Sequence, residues 1–91
     1  MKYVVAFDIS NNKKRNAVAK VCAQWGFRVQ KSVFEIFMDS SKVNDFSEKL
    51  LNLINPDLDT IRLYPLDKDN DKNIVIIGIG KPVRQLSYAI V

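Results

Sequence analysis

The sequence predicts one α+β domain of ferredoxin-like βαββαβ order, in which two helices pack on one face of a sheet and an extra strand follows at the C-terminus. Two observations lead to this fold class. Stretches with apolar residues at helical spacing alternate with short stretches rich in β-branched and aromatic residues. The chain has 91 residues, 47% of them hydrophobic, which is enough for one core but not for two. Residues 1–91 are therefore expected to form a single domain.

The first strand is predicted at residues 2–9, KYVVAFDI, where almost every position is β-branched or aromatic. Side chains alternate between the two faces of a sheet, so the odd-numbered residues share one face and the even-numbered residues share the other. If the odd-numbered residues face the helices, Val4 and Ala6 lie on a face that no helix covers. We expect a second copy of the chain to cover it in a sheet-to-sheet homodimer.

The first helix is expected to begin after the polar triplet SNN, which offers N-caps, and to be closed by Gly26. Its apolar stripe consists of Val18, Val21, Cys22 and Trp25. The lone cysteine, Cys22, lies on this stripe and is interpreted as a core residue rather than a reactive thiol.

The segment at residues 26–37, GFRVQKSVFEIF, changes its alternation partway along. Four apolar residues lie first at odd and then at even positions: Phe27, Val29, Phe34 and Ile36. Either a two-residue turn at Lys31 and Ser32 or a β-bulge in one continuous strand would explain the change. The turn would bring all four apolar residues to one face and set Arg28 opposite Glu35. The periodicity allows both alternatives.

The second half of the chain predicts one more helix and three more strands. The helix is expected to be capped by DSSK (39–42), to carry the stripe Val43, Phe46, Leu50, Leu53 and Ile54, and to end at Asn55-Pro56. The strands are predicted at residues 60–66, 74–79 and 85–91, with a polar loop at 67–73.

Composition excludes several kinds of site. A single cysteine rules out an internal disulfide and a thiolate metal cluster, and the absence of histidine removes the commonest general base and metal ligand. Any catalysis would depend on carboxylates, hydroxyls, cations or a metal held by oxygen ligands. No apolar run is long enough to span a membrane, and the apolar run at the N-terminus is too short for a secretory signal, so we expect a cytoplasmic protein.

Two motifs resemble ligand-binding sequences but lack residues that those sites require. DKDND at 67–71 has the aspartate spacing that opens an EF-hand loop, but Lys72 and Gly78 occupy the positions of the required glycine and glutamate. GIG at 78–80 lacks the third glycine of a dinucleotide fingerprint, and Pro82 prevents the helix that would follow it.

The positive charge is concentrated in the N-terminal part of the chain. Residues 1–38 carry seven Lys or Arg against two acidic residues, whereas residues 39–73 carry five against eight. This distribution favours a surface that binds a polyanion; the alternative is a solvated surface with scattered charge.

Asp8 is the strongest candidate for chemistry, because it is a carboxylate at the C-terminal end of an apolar central strand. Five cations are expected near it: Lys13, Lys14, Arg15, Arg28 and Lys31. The alternative interpretation is that Asp8 caps the first helix. One carboxylate is a poor divalent-metal site, but two copies related by a two-fold axis, with phosphate oxygens from a ligand, would make a reasonable one.

Several motifs together resemble one family. FDIS at 7–10, the basic run that opens the first helix, RVQKSVFE at 28–35 and YPL at 64–66 are similar to the small CRISPR-associated adaptation proteins called Cas2. The resemblance extends over nearly the whole chain. It implies a ferredoxin-like fold, a sharp reversal at Lys31-Ser32, a homodimer formed through the sheets, and a C-terminal strand (about residues 81–91) that pairs with the partner protomer.

The resemblance also implies a function, namely acquisition of new CRISPR spacers together with the Cas1 integrase. Some members are credited with metal-dependent cleavage of single-stranded RNA or double-stranded DNA. Asp8 matches the family's catalytic, metal-binding aspartate, for Mg²⁺ or another divalent cation, and Arg15, Arg28 and Phe34 match positions linked to activity or nucleic-acid contact. Phe7 and Ala17 depart from the family, where Tyr and a basic residue are common, which weakens the expectation of nuclease activity more than that of DNA binding.

The residues and the resemblance together leave three alternative hypotheses for the function. The first is a Mg²⁺-dependent nuclease that uses Asp8 from each protomer, and the second is a non-catalytic adaptor that holds duplex DNA. The third is a toxin-like ribonuclease on the same small fold. Metal-dependent turnover separates the first from the second, and co-purification with an integrase separates both from the third.

Overall fold

A six-stranded antiparallel sheet with two helices makes up the part of the chain that the structure, a computed structural model, describes, namely residues 1–66, 73–78 and 81–87. The strands are β1 (Lys2–Asp8), β2 (Gly26–Gln30), β3 (Val33–Phe37), β4 (Thr60–Pro65), β5 (Asn73–Gly78) and β6 (Lys81–Ser87). The helices are α1 (Asn12–Ala23), between β1 and β2, and α2 (Val43–Leu51), between β3 and β4. The strands lie in the order β2-β3-β1-β4-β5-β6, and each neighbouring pair is antiparallel. The predicted βαββαβ fold class is confirmed.

Both helices pack on the sheet face that carries the odd-numbered side chains of β1. The core cluster includes Tyr3, Val5, Phe7, Val18, Cys22, Phe46 and Leu50. Trp25, which follows α1, packs its ring edge-on against Phe46 of α2 with 5.6 Å between centroids. Burial raises the pKa of the Cys22 thiol to about 12, which agrees with its prediction as an inert core residue.

No helix covers the opposite sheet face, here called the open face, within the described residues. Val4 and Ala6 are half-buried on it, as predicted. Phe27 of β2 and Phe37 of β3 extend its apolar area, since they are 68% and 49% exposed and meet edge-on with 6.2 Å between centroids. Lys2 Nζ lies 5.6 Å from the centroid of the Phe37 ring and forms an ion pair with Glu35 at 2.7 Å.

Of the two alternatives for residues 26–37, the two-residue turn is confirmed and the single continuous strand is wrong, and β2 contains a bulge in addition to the turn. The chain reverses at Lys31 and Ser32, and a bulge at Val29 shifts the register of β2. Gln30 still pairs with Val33, but Arg28 then lies opposite Phe34 and Phe27 lies opposite Glu35.

The predicted pairing of Arg28 with Glu35 is therefore wrong. The prediction that all four apolar residues share one face is also wrong, because Phe34 and Ile36 are buried while Phe27 and Val29 are exposed. An extra residue in one strand of an antiparallel pair moves every later side chain to the other face, and the prediction used the turn without the bulge.

Gly26 does not close the first helix, which ends at Ala23 with Gln24 as its C-cap. It opens β2 instead, where a Cβ atom would lie 1.9 Å from the carbonyl oxygen of Glu35. Gly26 is thus required because the backbones of β2 and β3 approach closely there, not because a left-handed helix cap needs it.

The second helix is shorter than predicted. The DSSK segment forms a 3₁₀ turn at Ser40–Lys42, and the side chain of Asp39 makes no capping hydrogen bond. α2 ends at Leu51, and a loop follows in which the Asn55 N–H donates to Oδ2 of the buried Asp59 at 2.9 Å.

β6 pairs with β5 of the same chain. The predicted last strand at 85–91 therefore begins earlier, at Lys81, and its residues 88–91 lie outside the described residues, as do the polar loop at 67–72 and residues 79–80. Pairing of the tail with a partner protomer remains a prediction. Among the described residues, no helix is long and apolar enough to cross a membrane.

Candidate nucleic-acid interface

Asp8 is the last residue of β1, and its exposed side chain lies on the open face together with Val4 and Ala6. It does not cap α1. The N-cap is Asn11, whose Oδ1 accepts a hydrogen bond from the Lys14 N–H at 2.9 Å. Within the described part of the chain, no group donates a hydrogen bond to the Asp8 carboxylate, so its negative charge is available to a ligand.

Asp8 lines a cavity of about 280 Å³ at this end of the sheet. The lining residues come from β1 and β4: Ala6, Phe7, Asp8, Thr60, Arg62 and Tyr64. In the pairing of these strands Asp8 lies opposite Thr60 and Ala6 lies opposite Arg62. Arg62 is thus the diagonal neighbour of Asp8 on the same face. It, rather than any of the five predicted cations, brings positive charge to this cavity.

Arg62 was missed because all the cations expected near Asp8 came from the basic N-terminal part of the chain, residues 13–31. The alternation of TIRLYP (60–65) could have placed Arg62 on the open face, because Ile61, Leu63 and Pro65 are buried on the opposite one. The intervening residues, including Arg62, must then lie on the open face. What the alternation could not show is which strand pairs with β1 and in what register.

Three cations meet in a second place, a groove of about 630 Å³ between α1 and the β2–β3 hairpin. It is lined by Lys13, Asn16, Ala17, Ala19, Lys20, Ala23, Arg28 and Phe34. Lys13 and Arg28 were predicted as nucleic-acid contacts, whereas Lys20 was not. Because Lys13 and Lys20 are seven residues apart in one helix, their spacing alone could have placed them on the same side.

Arg28 is held in place by two contacts. Its guanidinium lies 5.3 Å from the centroid of the Phe34 ring, and its Nη2 donates to the carbonyl oxygen of Lys31 at 2.9 Å. Phe34 is only 2% exposed and stacks against Phe7, with 6.1 Å between centroids. Phe34 therefore supports Arg28 from below and does not itself present a ring to a ligand.

The other predicted cations are arranged differently. Arg15 donates to the carbonyl oxygen of Ile9 at 3.2 Å and also to Oδ1 of Asn12. These two hydrogen bonds stabilise the β1–α1 loop that follows Asp8, which is a structural role for Arg15. Lys14 and Lys31 do not line the groove, although Lys31 is exposed in the adjacent turn.

The described residues of one chain do not form a complete metal site. Among the described residues, no group of three His, Cys, Asp or Glu side chains could hold a metal ion. Asp8 supplies the one carboxylate among the described residues that line its cavity. Mg²⁺ binds oxygen ligands, often one or two carboxylates together with substrate phosphates, so the donor present fits a site that a second chain and a phosphate would complete.

Comparisons with known proteins identify the family of the chain. The chain is 42% identical over 77 residues to a protein of Chloroflexus aurantiacus named CRISPR-associated endoribonuclease Cas2 3, with 85% of this chain and 83% of that protein covered. It is 32% identical over 87 residues to a protein of Halalkalibacterium halodurans named CRISPR-associated endonuclease Cas2, with 90% of each chain covered.

Two solved structures have the same fold. The crystal structure of Streptococcus pyogenes Cas2 matches with a TM-score of 0.70 and 33% identity, over 77% of this chain and 90% of that one. A hypothetical protein from Thermus thermophilus matches with a TM-score of 0.70 and 29% identity, over 91% of this chain and 96% of that one. The model of the family described as CRISPR associated protein Cas2 matches residues 1–74, and the chain therefore belongs to the Cas2 family.

Proposed function

We propose that this protein is a homodimeric nucleic-acid-binding protein of CRISPR spacer acquisition, that it works with the Cas1 integrase, and that it cleaves phosphodiester bonds in the presence of Mg²⁺. The observation that carries the proposal is the position of Asp8, exposed at the end of β1 on the open face and not used to cap α1. Family membership supports the CRISPR role, and the names of the two Cas2 relatives support cleavage of RNA or DNA.

A homodimer through the open face is supported by the apolar groups that this face leaves exposed. Two aromatic rings, Phe27 and Phe37, lie at one side of it, and Val4 and Ala6 lie on its central strand. Exposed apolar patches of this kind mark interaction surfaces. A two-fold axis near the end of β1 would bring two copies of Asp8 together, which supplies the second carboxylate that one chain lacks.

Nucleic acid is the expected ligand of the cation-lined groove. Lys13, Lys20 and Arg28 lie along it, and none of its described lining residues is acidic. Phosphate contacts by Lys and Arg give binding that depends strongly on salt and little on sequence. When bound, Mg²⁺ would activate water and neutralise charge on the scissile phosphate. Asp8 would contribute the carboxylate that holds the ion.

The test is Asp8→Asn, which keeps the size of the side chain but removes the charge that a hard cation needs. Light scattering at micromolar concentration should give twice 10.4 kDa for both proteins. Mg²⁺-dependent cleavage of duplex DNA and of single-stranded RNA should be lost in the variant, while metal-free binding persists or tightens. Cleavage by carefully purified Asp8→Asn would reject the metal role, and a monomeric wild type would reject the shared site.

A non-catalytic adaptor is the second candidate, and one observation favours it. Among the described residues that line the Asp8 cavity, each chain supplies a single carboxylate, which is the minimum for a shared metal site. If the wild type binds duplex DNA and the Cas1 integrase but shows no Mg²⁺-dependent turnover, the adaptor function is the correct one.

A further inference from the structure

From the geometry of the Asp8 cavity we infer that Arg62 is a phosphate-binding residue that positions the nucleic-acid backbone beside Asp8. This inference rests on the proposed nucleic-acid function and adds a residue on β4 to a site that the sequence assigned only to β1, α1, β2 and the β2–β3 turn. It also separates two phosphate contacts, one at the open face and one in the groove beside α1.

The position of Arg62 follows from the pairing of β1 with β4. Ala6 lies opposite Arg62, and Asp8 lies opposite Thr60, two residues farther along the same face. Diagonal neighbours of this kind are about 7–8 Å apart, which long side chains can span. Arg62 is exposed, and it lines the same cavity as Asp8.

The charged groups that line the cavity favour a phosphate-binding role for Arg62. A phosphodiester that approaches Asp8 is repelled by the carboxylate unless positive charge lies nearby. Among the described residues that line the cavity, Arg62 is the cation. A guanidinium is suited to this position because its fork of N–H donors binds two phosphate oxygens at once.

The neighbours of Arg62 complete a surface for a phosphate group. Tyr64 follows on the same face, is half-buried and lines the same cavity, and a tyrosine hydroxyl group can donate a hydrogen bond. Ala6 lies directly opposite Arg62 and lines the cavity, and its small side chain occupies little of the space between the strands' larger side chains. Arg62 and Asp8 thus supply the positive charge and the carboxylate that a metal-assisted phosphodiester site can use.

The experiment compares metal-free binding of duplex DNA by the full chain with that of three variants, Arg62→Ala, Arg62→Lys and the control Lys49→Ala. Lys49 is exposed on α2 and lines neither cavity, so its replacement removes the same charge elsewhere. For each protein the slope of log affinity against log salt is measured. Light scattering follows the oligomeric state in parallel.

Arg62→Ala should flatten the slope by roughly 0.9 for each phosphate that is no longer bound, or about twice that if both protomers bind one duplex. Its affinity should fall at least about tenfold at moderate salt, as expected for a hydrogen bond to a charged group. Arg62→Lys should keep the slope and recover part of the affinity, because the charge remains but the fork is absent. Lys49→Ala should match the wild type. With Mg²⁺, Arg62→Ala should cleave with a lower kcat/KM than Lys49→Ala.

The outcomes separate this inference from the function on which it rests. A wild type that binds no duplex DNA would contradict the proposed function and this inference together. A wild type that binds, with an unchanged slope in Arg62→Ala, would overturn the inference alone. If Arg62→Ala becomes monomeric, Arg62 is an interface residue, and the inference is overturned in favour of that role.

Discussion

Asn11 and Asp8 are three residues apart, and the structure assigns the capping of α1 to Asn11 alone. The hydrogen bond from the Lys14 N–H to Asn11 Oδ1 is 2.9 Å long and satisfies one of the donors that a helix leaves free at its start. Replacing such a cap by alanine costs about 1 kcal/mol of the free energy of unfolding. For a domain of this size that corresponds to a decrease in Tm of roughly 4–8 °C.

Asp8→Ala should behave differently, because the Asp8 side chain is exposed and its carboxylate accepts no hydrogen bond from the described residues. Its cost should stay within about 0.5 kcal/mol, the usual range for a surface change. Asn11→Ser is the matched control, since serine caps a helix about as well as asparagine, and it should stay near the wild type.

The assay is urea unfolding followed by circular dichroism, with all proteins at one concentration because a dimer makes the apparent stability depend on concentration. The expected order of stability is wild type, Asn11→Ser and Asp8→Ala close together, with Asn11→Ala below them. If Asp8→Ala loses as much stability as Asn11→Ala, Asp8 has a structural role that the described contacts do not account for, and its carboxylate is not reserved for a ligand.

Two further predictions concern the core and the close approach of strands. Since the pKa of the Cys22 thiol is raised from 9.0 to about 12, iodoacetamide at pH 8 should label the native protein far more slowly than the urea-unfolded one, and equal rates would contradict its burial. The folded state holds that proton more tightly than the unfolded state, so this contribution to stability is complete below about pH 9 and is lost as the pH rises toward 12, a trend that Cys22→Ala should reduce. Gly26→Ala should cost about 2 kcal/mol or more, because its Cβ would lie 1.9 Å from the Glu35 carbonyl oxygen. Gln24→Ala, at the exposed C-cap of α1, should change the free energy of unfolding by less than about 0.5 kcal/mol, and a similar loss in both variants would show that the close approach is not the cause.

The order of elements could be predicted because it depends on local patterns. Alternation in β1 separated buried Val5 and Phe7 from half-buried Val4 and Ala6, and helical spacing identified the stripe that contains Cys22. The same alternation placed Asp8 at the end of β1 on the open face. These features require only that side chains alternate along a strand and recur along a helix, so the sequence determines them without knowledge of the other elements.

The composition of the site was decided by the tertiary structure. Arg62 is 54 positions from Asp8 in the numbering, and it reaches the Asp8 cavity because β4 pairs with β1 in one particular register. The bulge at Val29 decides that Arg28 packs over Phe34 rather than opposite Glu35. Pairing between distant strands depends on the free energy of the whole core. One extra residue in a strand moves the later side chains to the other face. No local pattern in the chain specifies which strands pair or in which register.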